Sequence, residues 1–194
     1  MANKTKISLV SWLQSGLIRL CRIHFVVIAI YAVYIIAADA TALITPSLVL
    51  QRWTANALML GGVGIIWYAA HNIKTQNSNY FRLLIYVLIL MDIGMATFNV
   101  YTQRGMASRA VMLFAVPIVV ATILLSRTAL FLTATLCTAA YSLAAIKYFV
   151  DFFNEGYKAE LYIEVGFYCA MFFIIAAILS IVIRFKDGDL GINS

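Results

Sequence analysis

Six runs of this chain contain no Asp, Glu, Lys or Arg: residues 25–38, 57–70, 83–91, 110–125, 128–146 and 165–183. A bilayer core about 30 Å thick is crossed by about 20 mostly apolar helical residues. With its polar flanks each run supplies that length, so the expected fold class is all-α: a polytopic membrane protein built as a six-transmembrane-helix bundle. Composition supports this, with 64% hydrophobic and 11% charged residues, against roughly 25% charged in soluble domains. The net charge of +6 places Lys and Arg at span ends, where head groups and insertion require them. Nucleic acid is excluded as a partner, and the lipid bilayer is the first partner implied.

Nearly the whole chain is consumed by the spans, in three parts. Residues 1–24 form an N-terminal amphipathic segment. Ser8, Ser11, Ser15, Arg19 and Arg22 make one polar stripe, while Leu9, Val10, Leu13, Leu17 and Leu20 lie away from it. This pattern predicts an N-terminal amphipathic interfacial helix, the alternative being a cytoplasmic extension of the first span. Residues 25–183 are the bundle, and 184–194 a short cytoplasmic tail. The expected spans are 25–44, with Pro46 marking the exit, then 56–72, 80–100, 110–125, 128–148 and 161–183. Cys21, Cys137 and Cys169 fall in or beside apolar helices and read as packing residues. Gly61, Gly62 and Gly64, with Ala134, Ala139, Ala140, Ala144 and Ala145, read as places where helix backbones approach closely.

Orientation follows from the distribution of Lys and Arg. With the N-terminus cytoplasmic, nine of the 14 lie inside: Lys4, Lys6, Arg19, Arg22, Lys74, Arg82, Arg127, Arg184 and Lys186. Arg52, Arg104, Arg109, Lys147 and Lys158 lie outside. Both termini are therefore expected in the cytoplasm.

Asp92 stands near the middle of the third span, where an ionised acid costs about 2.5–3.5 kcal/mol or more. Ala96 and Asn99 share its helical face. One reading is a ligand, proton or ion contact; the other is an Asp that pins the third span to a neighbour's hydroxyl. Asp39, Lys147 and Glu164 form an outer polar set at the ends of the first, fifth and sixth spans, either lining a shallow outer cavity or simply meeting water. His24 and His71 lie at similar depth on adjacent spans, the arrangement that bis-His haem ligation needs. They are the sole haem candidates, and no other cofactor is implied. The hydroxyls of Thr128, Thr135, Thr138 and Ser142 suit bonds to their own helix or between helices. No H-E-x-x-H, G-x-S-x-G or phosphate-binding glycine loop is present, so the sequence points to no catalysis of its own.

Several features in order carry a resemblance. Leu90-Met91-Asp92 sits mid-helix, followed by a short outer loop, Gln103-Arg104-Gly105-Met106-Ala107-Ser108. An apolar fourth helix with Pro117, a tight turn at Leu125-Ser126-Arg127 and a Thr/Ala-rich fifth helix complete the layout. This resembles the six-span N-terminal membrane sensor module of bacterial sensor histidine kinases, particularly the redox-responsive group. That group carries an outer-loop Gly-Gly-x-x-Ser/Asn-Pro motif tied to quinone sensing. Here Gly105 and Ser108 fit it, while Arg104 and Arg109 depart from it. After Ile183 no dimerisation, phosphoacceptor or ATP-binding region follows, so the reading is of a module lacking the kinase domains, with Gly188 and Gly191 weakening any helix there.

The function expected is a membrane sensing or docking module. A small apolar ligand or lipid would bind near Asp92, and the signal would pass to another membrane or cytoplasmic protein or within a homo-oligomer. The alternatives are a small transporter or channel subunit using Asp92, or a structural subunit of a membrane complex.

Overall fold

The computed structural model describes residues 9–41, 44–73, 75–103, 108–153 and 159–190, and all regular structure among them is helical. Helix α1 runs Leu9–Ala40, α2 Pro46–Asn72 and α3 Ser78–Thr102. The fourth span is composite: a 3₁₀ segment Arg109–Phe114, a short α4 at Ala115–Ala121, and a 3₁₀ turn Thr122–Leu124. Helices α5, Arg127–Phe153, and α6, Ala159–Leu190, complete the chain. Inside hydrocarbon no water satisfies backbone polar groups, so helix is the form these runs must take.

Local chemistry sets the boundaries. Thr45 is extended (φ −71°, ψ 151°) ahead of Pro46, as proline requires of its predecessor. Pro46 then occupies the first turn of α2, where its missing N–H costs nothing. It opens the second helix instead of closing the first, which ends at Ala40. Asn77 Oδ1 accepts the Asn79 N–H at 3.0 Å before α3. Ser126 Oγ accepts the Ala129 N–H at 3.3 Å before α5, and Leu125 makes the preceding turn at φ 51°.

The fourth span covers 109–124, and as pure α-helix its length would be about 24 Å. Its 3₁₀ pieces rise about 2 Å per residue and bring it to roughly 28 Å, near the hydrocarbon thickness. Pro117 lies in the first turn of α4, and just before it the Ala115 N–H turns back to the Met112 and Leu113 carbonyls.

By length and composition Leu9–Ala40, Ser78–Thr102, Arg127–Phe152 and Tyr162–Ile183 are each apolar enough to cross a membrane, with Arg109–Leu124 a shorter apolar helix. Only 22% of the most apolar window of α1 and 17% of that of α6 is buried. Val26, Ile30, Val33, Ile174, Ile178 and Ile181 are exposed, a surface suited to lipid and not to water.

The chain divides into two compact units, one of them Val10–Leu84 and the other chiefly Ile85–Ser194. In the first, Gln14 Nε2 donates to the Ala70 carbonyl at 2.9 Å, and Arg52 Nη1 donates to the Tyr34 hydroxyl at 3.1 Å. The start of α1 thus meets the end of α2, and the end of α1 meets the start of α2: an antiparallel hairpin. The buried positions of α1 are Leu13, Leu17, Cys21, His24, Ile28, Ile35 and Ala38, a three-and-four spacing that makes one seam. The segment expected to lie in the interface is continuous with the first span, and its polar stripe holds exposed Ser11, Ser15, Arg19 and Arg22.

In the second unit α5 packs along α6, and α4 contacts both. Its centre is aromatic: Phe114, Tyr141, Tyr168 and Phe172 meet with ring centroids 5.6–6.0 Å apart. Cys137 Sγ lies 3.6 Å from the Phe114 carbonyl, and Ser142 Oγ lies 3.6 Å from Cys169 Sγ, joining α5 to α6. Ala134, Ala144 and Ala145 are buried as expected, whereas Ala139 is exposed and Ala140 half-buried. Gly61 and Gly64 differ: a Cβ there meets nothing within 4 Å, so neither marks a close helix approach. Gly188 lies within α6 and does not end it, since one glycine costs only about 1 kcal/mol in a helix.

Candidate functional site

Asp92, Ala96 and Asn99 stand on one face of α3 and are 7%, 1% and 0% exposed. The face is polar at two points and closed to water. Asn99 is held from both ends: its Nδ2 donates to the Met95 carbonyl at 2.9 Å, and its Oδ1 accepts from Gln103 Nε2 at 3.1 Å. Thr97 and Thr102 bond to the Ile93 and Phe98 carbonyls of their own helix, which leaves Asp92 as the titratable group of this face. It is engaged by its surroundings and lies within electrostatic reach of Cys137 on α5. A buried carboxyl in such a setting can hold a proton or accept a hydrogen bond from a bound molecule.

Of the outer polar set, Lys147 and Glu164 belong to the unit of α5 and α6, and Asp39 to the hairpin of α1 and α2. Lys147 Nζ pairs with Asp151 Oδ2 at 2.9 Å, one turn along α5. The same oxygen accepts the Tyr101 hydroxyl at 2.8 Å, and Lys147 lies 5.9 Å from the Tyr101 ring centroid. Glu164 is exposed on α6, and Asp39 is exposed near the end of α1 in the other unit. Sequence reasoning missed the Lys147–Asp151 link, although the i,i+4 spacing signals it.

The two histidines occupy different settings. His24 is buried, its Nδ1 2.8 Å from the Leu20 carbonyl. His71 is exposed and stacks on Trp67 at 5.4 Å. Among the described residues no group of three or more His, Cys, Asp or Glu is placed to hold a metal ion.

Ser108 is buried and caps the fourth span, its Oγ accepting the Ala110 N–H at 3.0 Å. Of the other residues compared with the quinone motif, Arg109 is exposed at the start of the 3₁₀ segment, while Arg104 and Gly105 lie outside the described residues. The hydroxyls of Thr133 and Thr135 bond back to the Ala129 and Phe131 carbonyls, while Thr138 Oγ1 and Tyr141 OH are buried without a partner.

A second residue escaped the sequence reading. Arg52, expected outside the second span, is inside α2 and 2% exposed. Carrying the helix back to Pro46 was the signal that would have placed it.

Apolar helices of spanning length, outward apolar faces and a buried mid-helix acid define an all-α polytopic membrane domain. A family model described as the PilS-like transmembrane domain, a six-span domain, matches residues 8–186. The chain belongs to this family. PilS is a sensor histidine kinase, so the resemblance to a six-span sensor-kinase membrane module holds at the level of the family. The matching domain is a transmembrane sensor domain, not a catalytic one. Neither the curated proteins nor the solved structures gave a match.

Proposed function

We propose that this chain is a membrane sensing module with no chemistry of its own. It binds a small apolar ligand or lipid beside Asp92, Ala96 and Asn99 and passes the response to a partner protein by helix displacement. The reading places the module in a bacterial cytoplasmic membrane with both termini in the cytoplasm, where a kinase partner would meet it. The observation that carries it is the burial of a carboxyl and a carboxamide on one face of α3, since polar groups kept inside a membrane domain are costly and generally functional. Signalling requires two helix arrangements that differ in ligand affinity. A ligand contacting Asp92 supplies that difference, because its hydrogen bond exists in one arrangement and not the other.

The test is a screen of labelled quinone analogues and other hydrophobic ligands against the wild type and Asp92→Asn in lipid nanodiscs. A bound ligand should lose about tenfold or more in affinity in Asp92→Asn, the value of a hydrogen bond to a charged group. Unchanged affinity, or no binding at all, overturns the proposal.

A further inference from the structure

Arg52 lies six residues into α2, about 9 Å along the helix from Pro46. A long cationic side chain this near a helix end normally stretches to water. Arg52 does not: it is 2% exposed and folded over the Tyr34 ring, with the guanidinium carbon 5.5 Å from the ring centroid. Of its five N–H donors, Nη1 alone has a hydrogen-bond partner among the described residues, the neutral Tyr34 hydroxyl at 3.1 Å. Its Nε is buried and unpartnered, and no carboxylate among the described residues pairs with it. One turn further along, Asn56 is 5% exposed and its Oδ1 is also buried and unpartnered.

A buried charge without a counter-charge is strongly destabilising, and in a membrane the penalty has few remedies. The hairpin therefore presents an unmet cation and, beside it, an unmet acceptor. The planar guanidinium fork matches a phosphate, which it binds through two parallel N–H···O bonds. Tyr34 is 44% exposed on α1, so a rotation of this ring would open Arg52 to a group arriving laterally from the bilayer. On α1 itself, Phe25, Val26, Ala29, Ile30 and Val33 line an open apolar groove of about 480 Å³.

We propose that Arg52, Tyr34 and Asn56 hold the phosphate head group of a resident membrane phospholipid. Arg52 Nε and an Nη donate to the two non-bridging phosphate oxygens, and the Tyr34 hydroxyl, accepting from Nη1, donates to one of the same two oxygens. Asn56 Oδ1 accepts from a donor on the head group, an ammonium or a hydroxyl, and an acyl chain lies in the α1 groove. This site is separate from Asp92 and stands whether or not a ligand binds there.

The experiment uses the full chain, delipidated in mild detergent and titrated by native mass spectrometry. The probes are phosphatidylethanolamine, phosphatidylglycerol, phosphatidylcholine and diacylglycerol with identical acyl chains, and inorganic phosphate as competitor. Phosphatidylethanolamine and phosphatidylglycerol should bind tightest, and removing the phosphate should cost about tenfold or more. Arg52→Gln should erase that difference and Arg52→Lys should restore part of it. Asn56→Leu should abolish the preference for ethanolamine over choline, and this variant keeps the test open if Arg52→Gln does not fold. Equal binding of phospholipid and diacylglycerol overturns the proposal, as does binding unchanged in Arg52→Gln. Displacement of the lipid by millimolar inorganic phosphate also overturns it, since the occupant is then a soluble anion.

Discussion

The Tyr101 hydroxyl donates to Asp151 Oδ2 at 2.8 Å and so ties the last turn of α3 to the last turns of α5. Lys147 reaches the same carboxylate oxygen at 2.9 Å, and Tyr101 also meets the Tyr148 and Phe152 rings at 6.4 and 6.3 Å. One carboxylate thus organises the ends of two spans.

Because both donors converge on Asp151, Tyr101→Phe and Asp151→Ala should act through one interaction. Each should speed hydrogen exchange at the ends of α3 and α5, and the double variant should exchange no faster than Asp151→Ala alone. Lys147→Met should do less, because its side chain is 65% exposed and its pairing is screened by salt. Additive effects in the double variant would show that the two residues act separately.

Tyr141 offers a contrast. Its ring is fully buried in the aromatic cluster while its hydroxyl has no partner. Tyr141→Phe removes an unsatisfied polar group and should leave stability unchanged or raise it by about 1 kcal/mol. Tyr141→Ala should cost about 3–5 kcal/mol. Thermal unfolding in one detergent compares the three proteins, and a drop on Tyr141→Phe would reveal a partner such as a bound water.

At Asn99 both amide atoms are engaged, Nδ2 as donor and Oδ1 as acceptor. Asn99→Ala leaves Gln103 Nε2 without its acceptor and should destabilise the protein by about 1–3 kcal/mol, read by reversible unfolding in mixed micelles. Asp92→Asn preserves shape and should leave the unfolding midpoint closer to wild type than Asn99→Ala does. The reverse order would identify Asp92 as the structural residue of the pair.

Ser108 acts as a cap in this structure. Ser108→Ala should therefore cost about 0.5–2 kcal/mol, and Ser108→Asn or Ser108→Thr should recover most of it. A quinone response lost in Ser108→Thr at wild-type stability would assign the residue a recognition role instead.

The spans were legible in the sequence because lipid as solvent demands long runs without charge, and that demand is written residue by residue. The helix starts after Asn77 and Ser126 follow from equally local rules, short polar side chains taking up orphan N–H groups, whereas Pro46, read as the exit of the first span, opens the second helix. The shared face of Asp92, Ala96 and Asn99 is helical periodicity and needs no neighbour. Gly61 and Gly64 show the limit of such reading, since glycine permits a close approach but cannot supply the opposing helix. Tertiary structure alone decided that Lys147 and Tyr101 meet at Asp151, that Tyr141 buries a hydroxyl, and that Arg52 lies under Tyr34 away from water. Each of these depends on which helix lies alongside at that depth, and burial is set by the neighbour, not by the residue itself.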